Sequence, residues 1–218
     1  MHKLFLSFII LFFLPNKSQN NITADIDGNK YNLVKIDKYL ISSENLNVSR
    51  FKNGDLIPEV KTMQEWRKYG KLKKPAWCYH ENNQKNNKKI GKIYNGFAVN
   101  DPRGICPKGF HIPTSKEWKE IIISLGGYDN AGLHLKSKKW DGDDSSEFNA
   151  MPGGYRSTVN EMDFYPFDYC VFFWSTKVQV SKNSNDFIGL MTEDNSVTGE
   201  VSAHTAENGM YVRFIKNN

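Results

Sequence analysis

The side chains whose types could do chemistry are the thiols of Cys78, Cys106 and Cys170, the imidazoles of His80, His111, His134 and His204, and the carboxylates of Asp141, Asp143, Asp144 and Glu147. A thiol becomes a nucleophile when a nearby cation or base lowers its pKa. None of these cysteines stands in a C-x-x-C pair, and Cys78 with His80 makes only C-x-H, so a tetrahedral zinc site has little support. An odd number of thiols leaves one unpaired in a monomer. The residues alone leave two readings open, one disulfide or three buried thiols acting as small hydrophobes. The acidic knot beside Trp140 is oxygen-rich enough to hold calcium, which takes about six to eight oxygen ligands. Its spacing does not fit D-x-[DN]-x-[DN]-G-x5-E, so an acidic surface turn is the favoured reading. Trp140, Tyr155, Tyr165 and Tyr169 would offer aromatic faces to a glycan or protein partner, although such rings are equally at home in a core. The common phosphate, dinucleotide, zinc-protease and G-x-S-x-G hydrolase signatures are absent.

The elements that would position these groups begin behind an export leader. Met1-His2-Lys3 is a short positive start, and Leu4 to Leu14 is an apolar run of 11 residues ended by Pro15. That is a secretory signal peptide covering 1–20. It is too short for a span, which needs about 20 residues. Removing Lys3 and Lys17 with it takes the net charge from +5 to +3, too weak for a nucleic-acid footprint. Residues 21–30 read as a flexible N-terminus, and 31–218 as a single domain without repeats or a linker. Tyr31 to Ile36 alternates raggedly, as a strand would. Met63 to Tyr69 reads as a short helix and Lys85 to Lys89 as an exposed loop. The clearest signal is Thr114 followed by Glu117, a capping box, with Trp118, Ile121, Ile122 and Leu125 on one face and Gly126-Gly127 as the stop. A second helix near Ala131 to Lys136 precedes strand-like runs at Tyr169 to Trp174, Phe187 to Met191 and Met210 to Ile215. Early helices and late short strands predict an α+β fold. The long polar connections 175–186 and 192–208 are where binding would be sought.

Four blocks carry a resemblance. Glu44-Asn45-Leu46-Asn47-Val48-Ser49-Arg50-Phe51 opens the first. The second runs through Gly91-Lys92-Ile93-Tyr94-Asn95, Ala98 to Gly104 and Cys106-Pro107-Lys108-Gly109-Phe110-His111 to Thr114. Phe148 to Arg156 with Phe173-Trp174-Ser175-Thr176 make the third, and Gly209-Met210-Tyr211-Val212-Arg213 the last. Read in order, they resemble the Fibrobacter succinogenes major paralogous domain. The resemblance implies a single C-type lectin-like domain with short helices, small antiparallel sheets and long loops, exported or displayed on a bacterial surface. The family supplies no catalytic residues to carry over and no cofactor.

The family's closing strand usually ends V-R-C, but Phe214 follows Arg213 here, so Cys106 has lost the partner the resemblance implies. Any bridge must then use Cys78 or Cys170, and Cys78 with Cys106 is the favoured pair, leaving Cys170 as a buried thiol at the head of an apolar strand. Arg156 and Arg213 are expected to pair with Asp101 or Glu44 inside the domain. Taken together, these features predict a non-catalytic recognition or adhesion module for an unknown glycan or surface protein. The alternatives are a thiol-dependent enzyme resembling the formylglycine generators, with Cys170 as its thiol, and a structural component of a surface assembly.

Overall fold

The computed structural model describes residues 21–87, 90–158, 162–176, 187–199 and 206–217. The expected leader over 1–20 lies outside them, as do His204 and much of the two long polar connections. In chain order the elements are β1 (Ile22–Ala24), β2 (Lys30–Ile36), β3 (Tyr39–Ser42), α1 (Met63–Lys71), β4 (Trp77–Cys78), α2 (Gln84–Asn87), β5 (Ile93–Asn95), α3 (Gly96–Val99), β6 (Phe110–His111), α4 (Ser115–Ser124), α5 (Ala131–Leu135), β7 (Cys170–Trp174), β8 (Phe187–Met191), β9 (Val197–Gly199), β10 (Gly209–Met210) and β11 (Ile215–Lys216). The strands form three antiparallel sheets, in the orders β1-β2-β3-β11-β6, β10-β5-β4 and β7-β8-β9. The fold is α+β.

Helices α1, α3 and α4 start where side chains satisfy the first free amides. Thr114 Oγ1 accepts from the Glu117 amide at 3.2 Å, and the Glu117 carboxylate accepts from the Thr114 amide at 2.8 Å, closing the capping box of α4. Gly126 and Gly127 stop it with φ of +92° and +85°. Trp118, Ile121 and Ile122 face inward as the spacing predicts. On α1, Thr62 caps the Glu65 amide at 3.2 Å, and Trp66 and Gly70 are the buried face. Gly70 has to lack a side chain because a Cβ there would come within 2.9 Å of the Glu207 side chain.

Two apolar clusters share the interior, and β7 is the wall between them. Val171 and Phe173 point into a cluster with Trp66, Trp118 and Phe148, whereas Cys170, Phe172 and Trp174 point into one with Phe51, Tyr94 and Phe214. A strand buried on both faces needs no polar alternation. The same division explains the ragged pattern of β2, whose Tyr31 and Leu33 join the second cluster and whose Val34 and Ile36 join the first.

Three sequence expectations change. Residues 21–30 are not a flexible tail, because β1 pairs in register with β2 (Ile22 with Asn32, Ala24 with Lys30) through a turn in which Gly28 takes φ +82°. The Lys/Asn-rich stretch contains a helical turn, α2. Met210 to Ile215 is not one strand: β10 pairs with β5, Tyr211 bridges to Phe173, and β11 then inserts between β3 and β6.

Candidate functional site

The residues singled out by type do not assemble into a site. Trp140 is buried at 4% exposure with its indole donating to Thr192 Oγ1, and Tyr155 is buried at 5%, stacked on the half-buried Tyr165 with centroids 4.4 Å apart. Of the four rings, only Tyr169 is exposed, so Trp140 and Tyr155 serve packing and the four do not form one open aromatic face. The acidic knot spends its carboxylates locally: Asp143 accepts from the Ser145 amide at 2.8 Å and faces His134 at 2.9 Å, and Asp144 accepts from the Asn149 amide at 2.9 Å. Asp141, Asp144 and Glu147 all turn the chain with positive φ. Among the described residues no group of three or more His, Cys, Asp and Glu side chains is arranged to hold a metal ion.

The expected Cys78–Cys106 bridge is not formed, and all three thiols are free and buried. Cys78 belongs to the first apolar cluster and Cys106 to the second, so the two side chains pack into different halves of the interior. Burial pushes each thiol up to about 12. The native state therefore keeps thiol protons that the unfolded chain gives up from about pH 9. Stability from these groups is full below that pH and lost as pH climbs toward 12. Each should cost about 1.4 kcal/mol at pH 10. In urea melts, the stability difference between the native sequence and Cys78→Ala should shrink by that amount from pH 7 to pH 10; a constant difference would mean that Cys78 ionises normally in the fold.

The two arginines expected to meet Asp101 or Glu44 do otherwise. Arg156 forms a two-pronged pair with Asp163 at 2.8 and 3.0 Å and also donates to the carbonyls of Val60 and Lys61. Arg213 donates to Asn45 Oδ1 at 2.6 Å and to the carbonyls of Ser42 and Phe148 at 2.9 and 3.0 Å. Asp101 is taken by Arg103.

What the fold does assemble is a polar cleft of about 430 Å³ between the β1–β2 turn, the 47–50 segment and β4, with Trp77 and Tyr79 as its wall and Lys92 at its base. The Lys92 ammonium donates to the Asn47 carbonyl at 2.9 Å and to Ser49 Oγ at 2.5 Å, and sits 4.0 Å above the centre of the Trp77 ring. That face-on contact supplies the cation with electron density that water would otherwise provide. Burial lowers the Lys92 pKa to about 8, against an upward pull from Asp27, Asp25 and Glu59. The rim is held by Asp25, which accepts from the Asp27 and Asn29 amides, from Asn29 Nδ2 and from Tyr31 Oη. Tyr31 Oη in turn accepts from the Asn47 amide at 2.9 Å. Asp27 accepts from the Ser49 amide and lies 3.7 Å from Arg50 Nε.

Several polar atoms around this cleft are unspent among the described residues. Among the described residues Asn47 Nδ2 and the Ser49 hydroxyl proton meet no acceptor, Asn29 Oδ1 meets no donor, and Arg50 is half exposed with only the long Asp27 contact. Sequence reasoning named Asn47, Ser49, Arg50 and Lys92 only within the blocks that carry the resemblance and gave them no binding role, yet one signal was there. Leu46 and Val48 alternate with Asn47 and Ser49, and period-two alternation sets the two polar side chains together on the open side. Lys92 carried no such mark, because only the fold brings it under Trp77.

The family model of the Fibrobacter succinogenes major domain matches residues 34–216. The chain belongs to that family. Neither the curated proteins nor the solved structures contain a match to it. In this Fibrobacter succinogenes major domain the cleft joins two kinds of residue: Asn47, Ser49, Arg50, Trp77 and Lys92 fall within the matched segment, whereas Asp27 and Asn29 precede it. No described helix is long and apolar enough to cross a membrane.

Proposed function

We propose that this domain is an exported, non-catalytic recognition module of C-type lectin-like fold that binds a saccharide in the Asn47–Lys92 cleft. One observation carries the reading: unspent donors and acceptors stand side by side along a pre-formed cleft, over the buried rings of Trp77 and Tyr79. Each sugar hydroxyl both donates and accepts, so it matches Asn47 Nδ2, Ser49 Oγ, Asn29 Oδ1 and Asp27 arranged side by side. Lys92 stiffens the site, since its ammonium ties the 47–49 backbone to the Trp77 ring. The apolar run Leu4–Leu14 supports export, and the short helices, small antiparallel sheets and long irregular connections support the lectin-like architecture. Thiols raised to about 12 leave little thiolate at neutral pH, which weighs against the formylglycine-generator alternative.

A glycan array followed by titration calorimetry tests the reading. Asn47→Ala and Arg50→Ala should each weaken binding of the best oligosaccharide about tenfold, the value of one good hydrogen bond. Both side chains stand at the surface, so melting temperatures should stay within a degree or two. A domain that binds no oligosaccharide, or whose binding ignores both substitutions, would refute the assignment.

A further inference from the structure

We propose that the outward face of α1 and the turn after it dock on an anionic lipid bilayer, a second surface independent of the saccharide cleft. Arg67, Lys68 and Lys71 lie on the side of α1 away from the buried Trp66 and Gly70 and, with Gln64 and Leu72, line a groove of about 590 Å³. Lys73 and Lys74 follow at once. All five cations are exposed. Among the described residues none of them has a carboxylate within 4.0 Å.

The nearby acids are already committed. Glu65 accepts from Thr62 at the opposite end of the helix, and the Glu207 side chain packs against Gly70 on the buried side. Five positive charges within eight residues exceed the +3 that remains once Lys3 and Lys17 leave with the leader, so the rest of the mature chain is net negative and its positive excess lies in this segment. Cations crowded without partners repel one another, and an opposing sheet of negative charge relieves that cost. The helix also ends with Lys68 and Lys71 in its last turn, where the backbone carbonyls carry partial negative charge.

Leu72 decides between a bilayer and a soluble polyanion. It is 52% exposed at the centre of the cationic run, between Lys71 and Lys73. A soluble polyanion has nothing to offer an isobutyl group. The boundary between headgroups and acyl chains takes both parts, apolar residue inward and cations at the phosphates.

The test is co-sedimentation of the full chain with vesicles of pure phosphatidylcholine and of phosphatidylcholine with 30% phosphatidylglycerol, in about 50 mM salt. The apolar leader partitions into both, and its Lys3 and Lys17 add the same anionic preference to every variant, so the readout is the preference of each variant relative to the native chain. Each cation near such a surface is worth about fivefold in partition. The native chain should prefer the anionic vesicles at least tenfold, and the preference should fade above about 0.5 M salt as screening shortens the field. Arg67→Gln, Lys68→Gln and Lys71→Gln combined should remove most of the preference, and Leu72→Ser should reduce anionic-vesicle binding severalfold without altering its salt dependence. Equal partition into both vesicles, or a preference the triple variant retains, would overturn the proposal. Binding of soluble polyphosphate as tight as that to vesicles, with Leu72→Ser without effect, would overturn it in favour of a polyanion site.

Discussion

Replacing Arg213 with alanine should lower the unfolding free energy by about 3–5 kcal/mol. This guanidinium is among the most buried groups in the domain, at 2% exposure, and it meets no carboxylate. Its charge is carried by three oxygens, those of Asn45, Ser42 and Phe148, and by the faces of Phe148 and Phe173 at 4.3 and 5.3 Å. Burial lowers the Arg213 pKa to about 9, which still leaves it charged at neutral pH. Alanine would strand all three oxygens in a buried site, each at a cost of about 1–3 kcal/mol before relaxation, and would open a cavity beside two rings. Arg213→Lys should rescue little, because one ammonium cannot reproduce the planar fork that spans β3 and the 148 loop. Urea melts of both variants check this. A loss below about 1 kcal/mol for alanine would mean that water enters and replaces the arginine.

Trp118→Ala is expected to cost about 3–5 kcal/mol as well, by a different route. The indole is 1% exposed and packs edge-on against Phe148 at 6.1 Å and beside Phe173 at 6.3 Å, the same two rings that Arg213 contacts. Its Nε1 donates to the Trp174 carbonyl at 3.3 Å, so α4 is fixed to β7 by one hydrogen bond and a large apolar contact. Trp118→Phe should restore most of the loss, since the hydrogen bond is long and the volume deficit small. Because both residues contact Phe148 and Phe173, the double replacement of Arg213 and Trp118 by alanine should cost less than the two losses added together. Strict additivity in denaturant melts would show that the aromatic pair does not couple them.

The local grammar of α4 was legible in the sequence down to the two side chains that close its capping box, because caps and helical stripes are written within ten residues. The strand β7 was legible as apolar, but not its place between two clusters, since burial on both faces leaves no periodicity to read. The C-terminal run misled for the same reason: Met210 to Ile215 is apolar almost throughout, and only long-range pairing divides it between two sheets. Residue type misled at the aromatics, where Trp140 and Tyr155 serve packing. The cleft was the least legible part. It depends on Asp27, Asn47 and Lys92 meeting across the sequence, held by backbone amides and a cation over a ring, and no single segment encodes that meeting.

The way residues 209–216 thread through the domain bears on the order of events during synthesis. Within eight residues this segment adds the third strand to β5 and β4, lays Tyr211 against β7, delivers Arg213, and fills the gap between β3 and β6. Every partner it meets was made earlier, some more than 170 positions before, as with Ser42. A nascent chain stopped short of residue 209 therefore holds unmatched strand edges and a core with its keystone missing. Closing such distant contacts is slow. Until residues 209–216 are in place the domain cannot complete two of its sheets or its core, so this one segment commits the fold late.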